Sequence, residues 1–263
     1  MDLGLKDKRA LVTGASRGLG YATALVLAKE GCKVVINGRD PDRLKAATLT
    51  LGREAASKVD GIPGDVSDPA VPEKLIAATV KELGGLDLLV TNSGGPPSGA
   101  FESFDDDAWE KAVNLTFLSH VRLIRAALPY LRKSEAASVL TMTSYTVKQP
   151  VPNLVLSNSI RLATIGLTKT LALELGNQGI RFNSILPAAI DTDRIRELQT
   201  YRAEKNGTTL EEEAAKDAMS SAVGRMGRPA EFANAAVFLL SPAASYITGV
   251  MLTLDGGQYK GMM

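Results

Sequence analysis

Short apolar segments alternate with longer stretches of helical pattern along this chain, and their order constrains the fold more than any other feature. A buried parallel strand is a short apolar run, whereas an amphipathic helix repeats its apolar residues every three to four positions. The strand candidates lie near residues 9–13, 33–37, 59–62, 86–91, 138–142, 180–186 and 250–254, with 59–62 the weakest. This alternation predicts an α/β fold: a doubly wound parallel sheet of about seven strands with helices on both faces.

The chain is predicted to form one domain, residues 1–263, because a chain of this length can bury a single large core. No Ser/Gly-rich linker, shift in composition or internal repeat marks a boundary within it. The segment 194–227 is long and charged, and it contains the acidic run Glu211-Glu212-Glu213. From the residues alone, this segment is a solvated excursion on the surface.

The composition argues against several classes of function. There are 30 Lys and Arg residues against 29 Asp and Glu, so the net charge of +1 gives no electrostatic basis for binding nucleic acid or an anionic membrane. Cys32 is the only cysteine, which excludes an intrachain disulfide, and no spacing is typical of a metal site. Because the sequence has no signal-peptide core and no apolar run of membrane-spanning length, we expect a cytoplasmic protein.

A glycine-rich turn joins the first strand candidate to the first helical pattern. Glycines at such a turn let backbone N–H groups approach a pyrophosphate at a helix N-terminus, so the turn predicts a dinucleotide site. The residues assigned to it are Gly14, Ser16, Arg17, Gly18, Leu19 and Gly20. A turn without a ligand is the alternative, which the strand before it and the helix after it disfavour.

The spacing Gly-x-x-x-Gly-x-Gly, preceded by Thr13, resembles the opening of the short-chain dehydrogenase/reductase family. The resemblance covers nearly the whole chain and is strongest to the 3-oxoacyl-[acyl-carrier-protein] reductase branch. Its further motifs are Asp65-Val66, Asn92-Ser93-Gly94, Arg181-Phe182-Asn183-Ser184-Ile185-Leu186-Pro187, Thr192, Gly227-Arg228-Pro229, Tyr246-Ile247-Thr248-Gly249 and Asp255-Gly256-Gly257. The resemblance implies a Rossmann-type fold and hydride transfer between NAD(P)(H) and a small-molecule carbonyl or alcohol substrate.

The resemblance also assigns residues to the cofactor. Asp65 and Val66 match the pair that contacts adenine, and Thr192 matches the threonine that contacts the nicotinamide. The turn after the fourth strand and the end of the sixth strand complete the expected cofactor site, with Asn92, Ser93, Gly94 and Pro187.

Two arginines favour NADP(H) over NAD(H). A carboxylate about twenty residues past the glycines would bind the ribose 2′-hydroxyl of NAD, but the second strand is followed by Gly38-Arg39. Arg39 and Arg17 offer guanidinium donors, which bind a 2′-phosphate well. Two alternatives oppose this preference: Asp40 follows at once and can be taken as the acidic residue, or both arginines are merely solvated.

The resemblance places a carbonyl-binding serine at Ser144 and a helix asparagine at Asn114, which supports a water chain in the family. The family's tyrosine and lysine fall at Ser157 and Arg161, because the helix after them aligns without a gap. A serine hydroxyl is far less acidic than a tuned phenol, and an arginine cannot lose a proton, although Arg161 can still hydrogen-bond a ribose. The proton-transfer pair is therefore expected to be missing from its usual place. Ala188, where the family usually has glycine, adds a methyl group beside the nicotinamide site.

Tyr145 is a candidate replacement for the acid, with Lys148 three residues later. Pro150 and Pro152 predict a loop, which breaks the strand alternation that would otherwise point Tyr145 away from Ser144. The alternative is a packed loop tyrosine and a solvated lysine. His120, the only histidine, is expected to serve packing or a subunit surface.

Two functional interpretations follow from these residues. One is an oxidoreductase with rearranged or weak proton transfer; the other is a redox-inactive NADP(H)-binding sensor or subunit partner. The resemblance implies a homotetramer, since the family pairs the helices around Asn114 and 158–175 between subunits. It also implies that 194–227 forms part of a substrate lid.

Overall fold

The computed structural model describes residues 1–262 and confirms the α/β fold with a single seven-stranded sheet. All neighbouring strands pair in parallel, in the order β3-β2-β1-β4-β5-β6-β7. The strands are β1 Arg9–Val12, β2 Lys33–Gly38, β3 Val59–Pro63, β4 Leu88–Thr91, β5 Ser138–Met142, β6 Arg181–Pro187 and β7 Met251–Leu254. Each lies at or within a residue or two of its predicted position.

Nine α-helices connect these strands within residues 1–262. They are α1 Gly18–Lys29, α2 Pro41–Ala55, α3 Val71–Leu83, α4 Asp106–Val113, α5 Ser119–Leu131, α6 Val155–Leu175, α7 Asp193–Asn206, α8 Leu210–Ser220 and α9 Pro229–Leu240. A π-helical turn, Asn114–Leu118, joins α4 to α5, so the helix around Asn114 continues from α4 into α5. No helix within the described residues is both long enough and apolar enough to cross a bilayer.

The strands bury alternate residues against two layers of helices. Val34, Val90 and Leu140 pack with α1, α2 and α9 on one face, whereas Leu89 and Val139 pack with α3, α5 and α6 on the other. Because both faces are covered, the strands consist mostly of apolar residues, which is why the sequence revealed them.

The order of the strands creates a crevice. The chain moves outward from β1 to β2 and β3, and then returns to the other side of β1 at β4. Open α/β sheets bind ligands outside the carboxyl ends of the strands at such a switch point. The segment 194–227 forms most of α7 and all of α8, which lie beyond the end of β6.

Candidate active site

A cavity of about 330 Å³ lies at the carboxyl ends of the strands. It is bordered by the segments after β1, β4, β5 and β6 and by the first turns of α6 and α7. The residues assigned from the sequence that border it are Gly14, Arg17, Gly18, Leu19, Arg39, Asn92, Ser93, Gly94, Ser144, Ser157, Arg161, Pro187 and Thr192. The fold therefore brings most of the predicted cofactor residues and three of the predicted catalytic residues to one cavity. The predicted cofactor residues that do not border it are Ser16, Gly20, Asp65 and Val66.

Two glycines of the turn, Gly14 and Gly20, have no room for side chains. Gly14 has φ +58°, and a Cβ there would lie 2.8 Å from Asn92 Nδ2. A Cβ on Gly20 would lie 2.6 Å from the carbonyl oxygen of Gly14. Asn92 Nδ2 donates to the carbonyl oxygens of Thr13 and Gly14, which fixes the turn against the segment after β4.

The N-terminus of α1 is open toward the cavity. Arg17 precedes the helix, and its side chain does not cap the first N–H groups. Uncapped N–H groups and the positive end of the helix dipole attract a phosphate. Four guanidinium groups and two carboxylates border the cavity, which leaves an excess of two positive charges. The guanidinium groups are those of Arg17, Arg39, Arg161 and Arg194, and the carboxylates are those of Asp193 and Glu197. The glycine cradle and this charge fit a dinucleotide with its phosphates.

Arg39 borders the cavity, and Asp65, the residue predicted to contact adenine, lies beside it. Arg39 Nη1 is 3.8 Å from Asp65 Oδ2, and Asp65 Oδ1 accepts hydrogen bonds from the backbone N–H and hydroxyl of Ser67. The carboxylate of Asp40 accepts from the backbone N–H groups of Asp42 and Arg43, and it thereby caps α2. This cap gives Asp40 a structural task, so Arg39 remains the charged side chain that borders the cavity here.

Arg17 has partners on α7. Its guanidinium pairs with Asp193 Oδ2 at 3.1 Å and with Glu197 Oε1 at 3.3 Å. All three side chains are about half exposed, so each pair contributes little to stability. The structure thus joins the glycine turn to the predicted lid, and Arg39 is the better candidate for the 2′-position.

Ser144 lies two residues after the end of β5, directly before a 3₁₀ turn, and borders the cavity. Its Oγ accepts a hydrogen bond from the backbone N–H of Thr146 at 3.3 Å. The hydroxyl hydrogen is then available to a ligand oxygen. Ser157 and Arg161 lie one turn apart on α6, and both face the same cavity.

Arg161 is 7% exposed, and its Nη1 donates to the carbonyl oxygens of Met142 at 3.3 Å and Thr143 at 3.4 Å. Burial and, second, the charge of Arg194 lower the pKa of Arg161 to about 10. The guanidinium therefore remains charged at neutral pH.

Tyr145 belongs to a second cavity, of about 130 Å³, which Ser144 also borders. The predicted loop contains a 3₁₀ turn, Tyr145–Val147, and it lets neighbouring side chains face one cavity. Gln258 Nε2 donates to the Tyr145 hydroxyl at 3.1 Å. Burial and, second, the charge of Asp217 raise the pKa of Tyr145, so this phenol is not tuned to release a proton near neutral pH.

The Asn114 side chain does not border either cavity. Its Nδ2 donates to the carbonyl oxygen of Glu110, and its Oδ1 accepts from Arg122 Nη2 at 3.0 Å. These bonds hold the π-helical turn that begins at Asn114, and a role in a water chain stays a prediction. His120 is buried on α5, with Nδ1 2.7 Å from Thr91 Oγ1; burial and then Arg161 lower its pKa to about 3.

Arg194 borders the cavity, although no motif in the sequence singles it out. Its Nη2 donates to the carbonyl oxygen of Pro96 at 2.8 Å, across 98 positions of sequence. The only local signal was the charged segment after Thr192, which does not indicate a direction for any one side chain. Ala188, whose methyl group was expected near the nicotinamide site, borders both cavities.

Comparison with known proteins places these features in context. A family model described as enoyl-(acyl carrier protein) reductase matches residues 14–258. Dehydrogenase/reductase SDR family member 4 of Homo sapiens is 33% identical over 254 residues, which cover 96% of this chain and 88% of that protein. The 3-oxoacyl-[acyl-carrier-protein] reductase of Vibrio cholerae is 31% identical over 257 residues, which cover 98% of this chain and 99% of that one.

A solved structure is also similar over the whole chain. L-sorbose reductase from Gluconobacter frateurii, complexed with NADPH and L-sorbose, has a TM-score of 0.94 and 30% sequence identity, and each chain is covered in full. The similarity to these proteins extends from the glycine turn to the final strand.

Proposed function

Because the chain belongs to the short-chain dehydrogenase/reductase family of oxidoreductases, we propose that it transfers hydride between NADP(H) and a small carbonyl or alcohol substrate. The observation that carries this proposal is the single cavity that joins the glycine cradle to Ser144. The family alone does not settle activity, since chemistry depends on the site.

The cofactor would lie along the cavity from Arg39 to Thr192. Gly14, Gly18 and the open end of α1 would hold the pyrophosphate, and Arg39 the 2′-phosphate. The bound dinucleotide supplies or accepts the hydride. The structures similar to this chain include one solved with NADPH, which supports this choice without deciding between NADP and NAD.

Ser144 would orient the substrate by donating its hydroxyl hydrogen to the carbonyl oxygen. Arg161 would add positive charge beside the developing negative oxygen. Neither residue is a proton source at neutral pH, and the raised pKa of Tyr145 makes it a poor one. The proton is therefore assigned to water, and reduction is expected to be slow for carbonyl compounds whose alkoxide needs an acid.

Activity on ordinary 3-oxoacyl substrates should be low despite the resemblance to that branch. General acid catalysis contributes roughly 10²–10⁴-fold, and the residues that would provide it are replaced at Ser157 and Arg161. The double change Ser157→Tyr with Arg161→Lys should raise this activity, if the cavity accommodates the ring.

The test is NADPH oxidation with a panel of carbonyl compounds, together with direct titration of NADPH and NADH by fluorescence. The proposal expects turnover of some panel members and a loss of roughly 100-fold in Ser144→Ala, with cofactor binding retained. Cofactor binding without turnover of any carbonyl compound would favour the redox-inactive sensor. If turnover is fast, Tyr145→Phe decides whether Tyr145 is the acid: lost activity would identify Tyr145, and retained activity would leave water or another residue as the proton source.

A homotetramer is part of the same proposal. The outer face of α6 exposes Leu162 (53%) and Leu173 (75%), and the small residues Ala163 and Gly166 lie between them. Exposed leucines with small residues between them permit close approach of a second copy, although Lys169 and Thr170 are also exposed on this stretch of α6. Light scattering at micromolar protein should give a tetramer, or at least a dimer, and a monomeric mass would contradict this.

A further inference from the structure

Arg161 is a buried cation without a carboxylate partner. It is 7% exposed, and no Asp or Glu side chain within residues 1–262 forms an ion pair with it. The charge that acts on it is that of Arg194, which repels it. His120 is neutral, so it supplies no counter-charge. A buried guanidinium in this situation is unfavourable unless a negative group completes the site.

The hydrogen bonds of Arg161 leave much of its donor capacity unused. A guanidinium has five N–H donors in a planar fork, and in the described part of the chain only Nη1 donates, over 3.3 and 3.4 Å. The side chain borders the large cavity, as does Arg194. A fork that faces a cavity beside a second cation matches the geometry and the charge of a carboxylate.

The position of Arg161 fixes where this carboxylate lies. Nη1 contacts the carbonyl oxygen of Thr143, the residue immediately before Ser144. Ser157, one helical turn earlier, borders the same cavity and is too short to cover the guanidinium. A carboxylate bound by Arg161 would therefore lie on the side of the cavity that Ser144 borders, and one small molecule can carry this carboxylate together with the oxygen that Ser144 would bind.

We propose that Arg161 binds the carboxylate of the substrate and that the substrate is a 2-oxo acid, interconverted with its 2-hydroxy acid. This proposal rests on the proposed reductase function of the same cavity. In the reduction, the carbonyl carbon gains a hydride from the reduced nicotinamide dinucleotide and the carbonyl oxygen gains a proton from water. The carboxylate forms no new bond and acts as the group that is recognised.

The experiment compares three probes of equal chain length: 2-oxohexanoate, its methyl ester and 2-hexanone. Isothermal titration of the NADP⁺-saturated protein measures the affinity for each. The acid should bind roughly 10- to 100-fold more tightly than the ester, as expected for hydrogen bonds between charged groups. Arg161→Met should reduce that ratio to about threefold or less, and Arg161→Lys should retain part of it, because lysine keeps the charge but not the fork.

Arg125→Met, which removes an exposed arginine on α5, is the matched control and should leave the ratio unchanged. Equal binding of acid and ester by the wild-type protein overturns the proposal, whatever the variants do. So does an Arg161→Met protein that loses NADPH affinity while its acid-to-ester ratio is preserved, since Arg161 would then serve the cofactor. If Arg161→Met does not fold, the wild-type ratio and Arg161→Lys decide.

NADPH oxidation, followed separately, distinguishes this proposal from the proposed function. Acid-selective binding that depends on Arg161, without turnover of either the acid or the ketone, supports the carboxylate site and contradicts the reductase. Turnover of 2-hexanone that equals turnover of the acid, with no selective binding, supports the reductase and overturns the carboxylate site.

Discussion

Two arginines at opposite ends of the sheet have similar pKa values and very different surroundings. Burial lowers the pKa of Arg181, at the amino end of β6, to about 10. Burial and, second, the charge of Arg194 lower the pKa of Arg161 to about 10 as well; this side chain extends from α6 to the carboxyl end of β5. Arg181 donates to four backbone carbonyl oxygens, those of Leu239, Leu240, Ser241 and Ile247, over 2.7–3.2 Å. Arg181 thereby provides donors for the carbonyl groups at the C-terminus of α9, whereas Arg161 makes two long hydrogen bonds and faces a cavity.

The amino end of the sheet has a second saturated network. Asp87 accepts from Arg9 Nε and Nη2, from the backbone N–H of Arg9 and from the hydroxyl of Ser134. Burial disfavours the charged carboxylate, but these hydrogen bonds outweigh it and lower the pKa of Asp87 to about 2. The network joins the starts of β1 and β4 to the segment before β5.

The carboxyl end contains more unsatisfied polar groups. Within residues 1–262, six buried polar side-chain atoms make no hydrogen bond. His120 Nε2, Thr143 Oγ1 and Thr146 Oγ1 lie near the carboxyl ends of β4 and β5, whereas Ser138 Oγ lies at the amino end of β5. The other two atoms are Arg202 Nε on α7 and Thr253 Oγ1 on β7. Buried polar groups are nearly always partnered, so such a concentration marks a place where ligands or water complete the site. The comparison suggests that the amino end maintains the fold and the carboxyl end binds ligands.

The largest expected effect is that of Arg181→Met. Four carbonyl oxygens would lose their donor, and the C-terminus of α9 its cation, which should lower the free energy of unfolding by about 3–5 kcal/mol. Urea denaturation measures this. Arg132→Met, which removes an exposed arginine that binds Gln178, is the control and should cost less than about 1 kcal/mol. A loss below 1 kcal/mol for Arg181→Met would remove the contrast between the two ends.

Asp87→Asn should lower the free energy of unfolding by about 2 kcal/mol, a modest value because Arg9 is partly exposed. The pKa of Asp87 is about 2 in the folded protein and 3.8 in its ordinary state, so its stabilisation is complete above about pH 4 and disappears as the pH falls toward 2. Urea denaturation from pH 6 to pH 3 should therefore show a smaller difference between the two proteins at the acid end. A constant difference over this range would contradict the assigned pKa.

Arg39→Ala should weaken NADPH binding about 5- to 10-fold, with NADH binding unchanged, because only NADPH carries a 2′-phosphate. Arg43→Ala, an exposed arginine on α2, is the control. Fluorescence titration of both cofactors measures the preference. An equal loss for NADPH and NADH would assign Arg39 to general attraction and not to the 2′-position.

The sequence predicted the fold because the strands are buried on both faces. β3 was the weakest prediction for a physical reason: it is an edge strand in which only Val59 is fully buried, so its apolar pattern is short. The glycine turn was predictable as well, since a Cβ at Gly14 or Gly20 collides with neighbouring atoms and no other residue type fits.

The chemical part of the site was predicted less completely. The resemblance to the family assigned Ser144, Ser157 and Arg161 to one site, and all three border one cavity. The direction of Tyr145 depends on a 3₁₀ turn and on Gln258, which is 113 positions away. Arg17 and Arg194 depend in the same way on partners that only the folded chain brings near, so sequence patterns do not reveal their directions.

The most direct measurement is the unfolding free energy of Arg161→Met, determined by urea denaturation beside Arg181→Met. If the carboxyl end binds ligands at a cost to the fold, removal of its unpartnered buried charge should leave the free energy of unfolding within about 1 kcal/mol of the wild-type value, or raise it. A loss of about 3 kcal/mol or more, comparable to that of Arg181→Met, would show that Arg161 stabilises the fold. It would contradict the claim that the amino end of the sheet maintains the fold and the carboxyl end binds ligands.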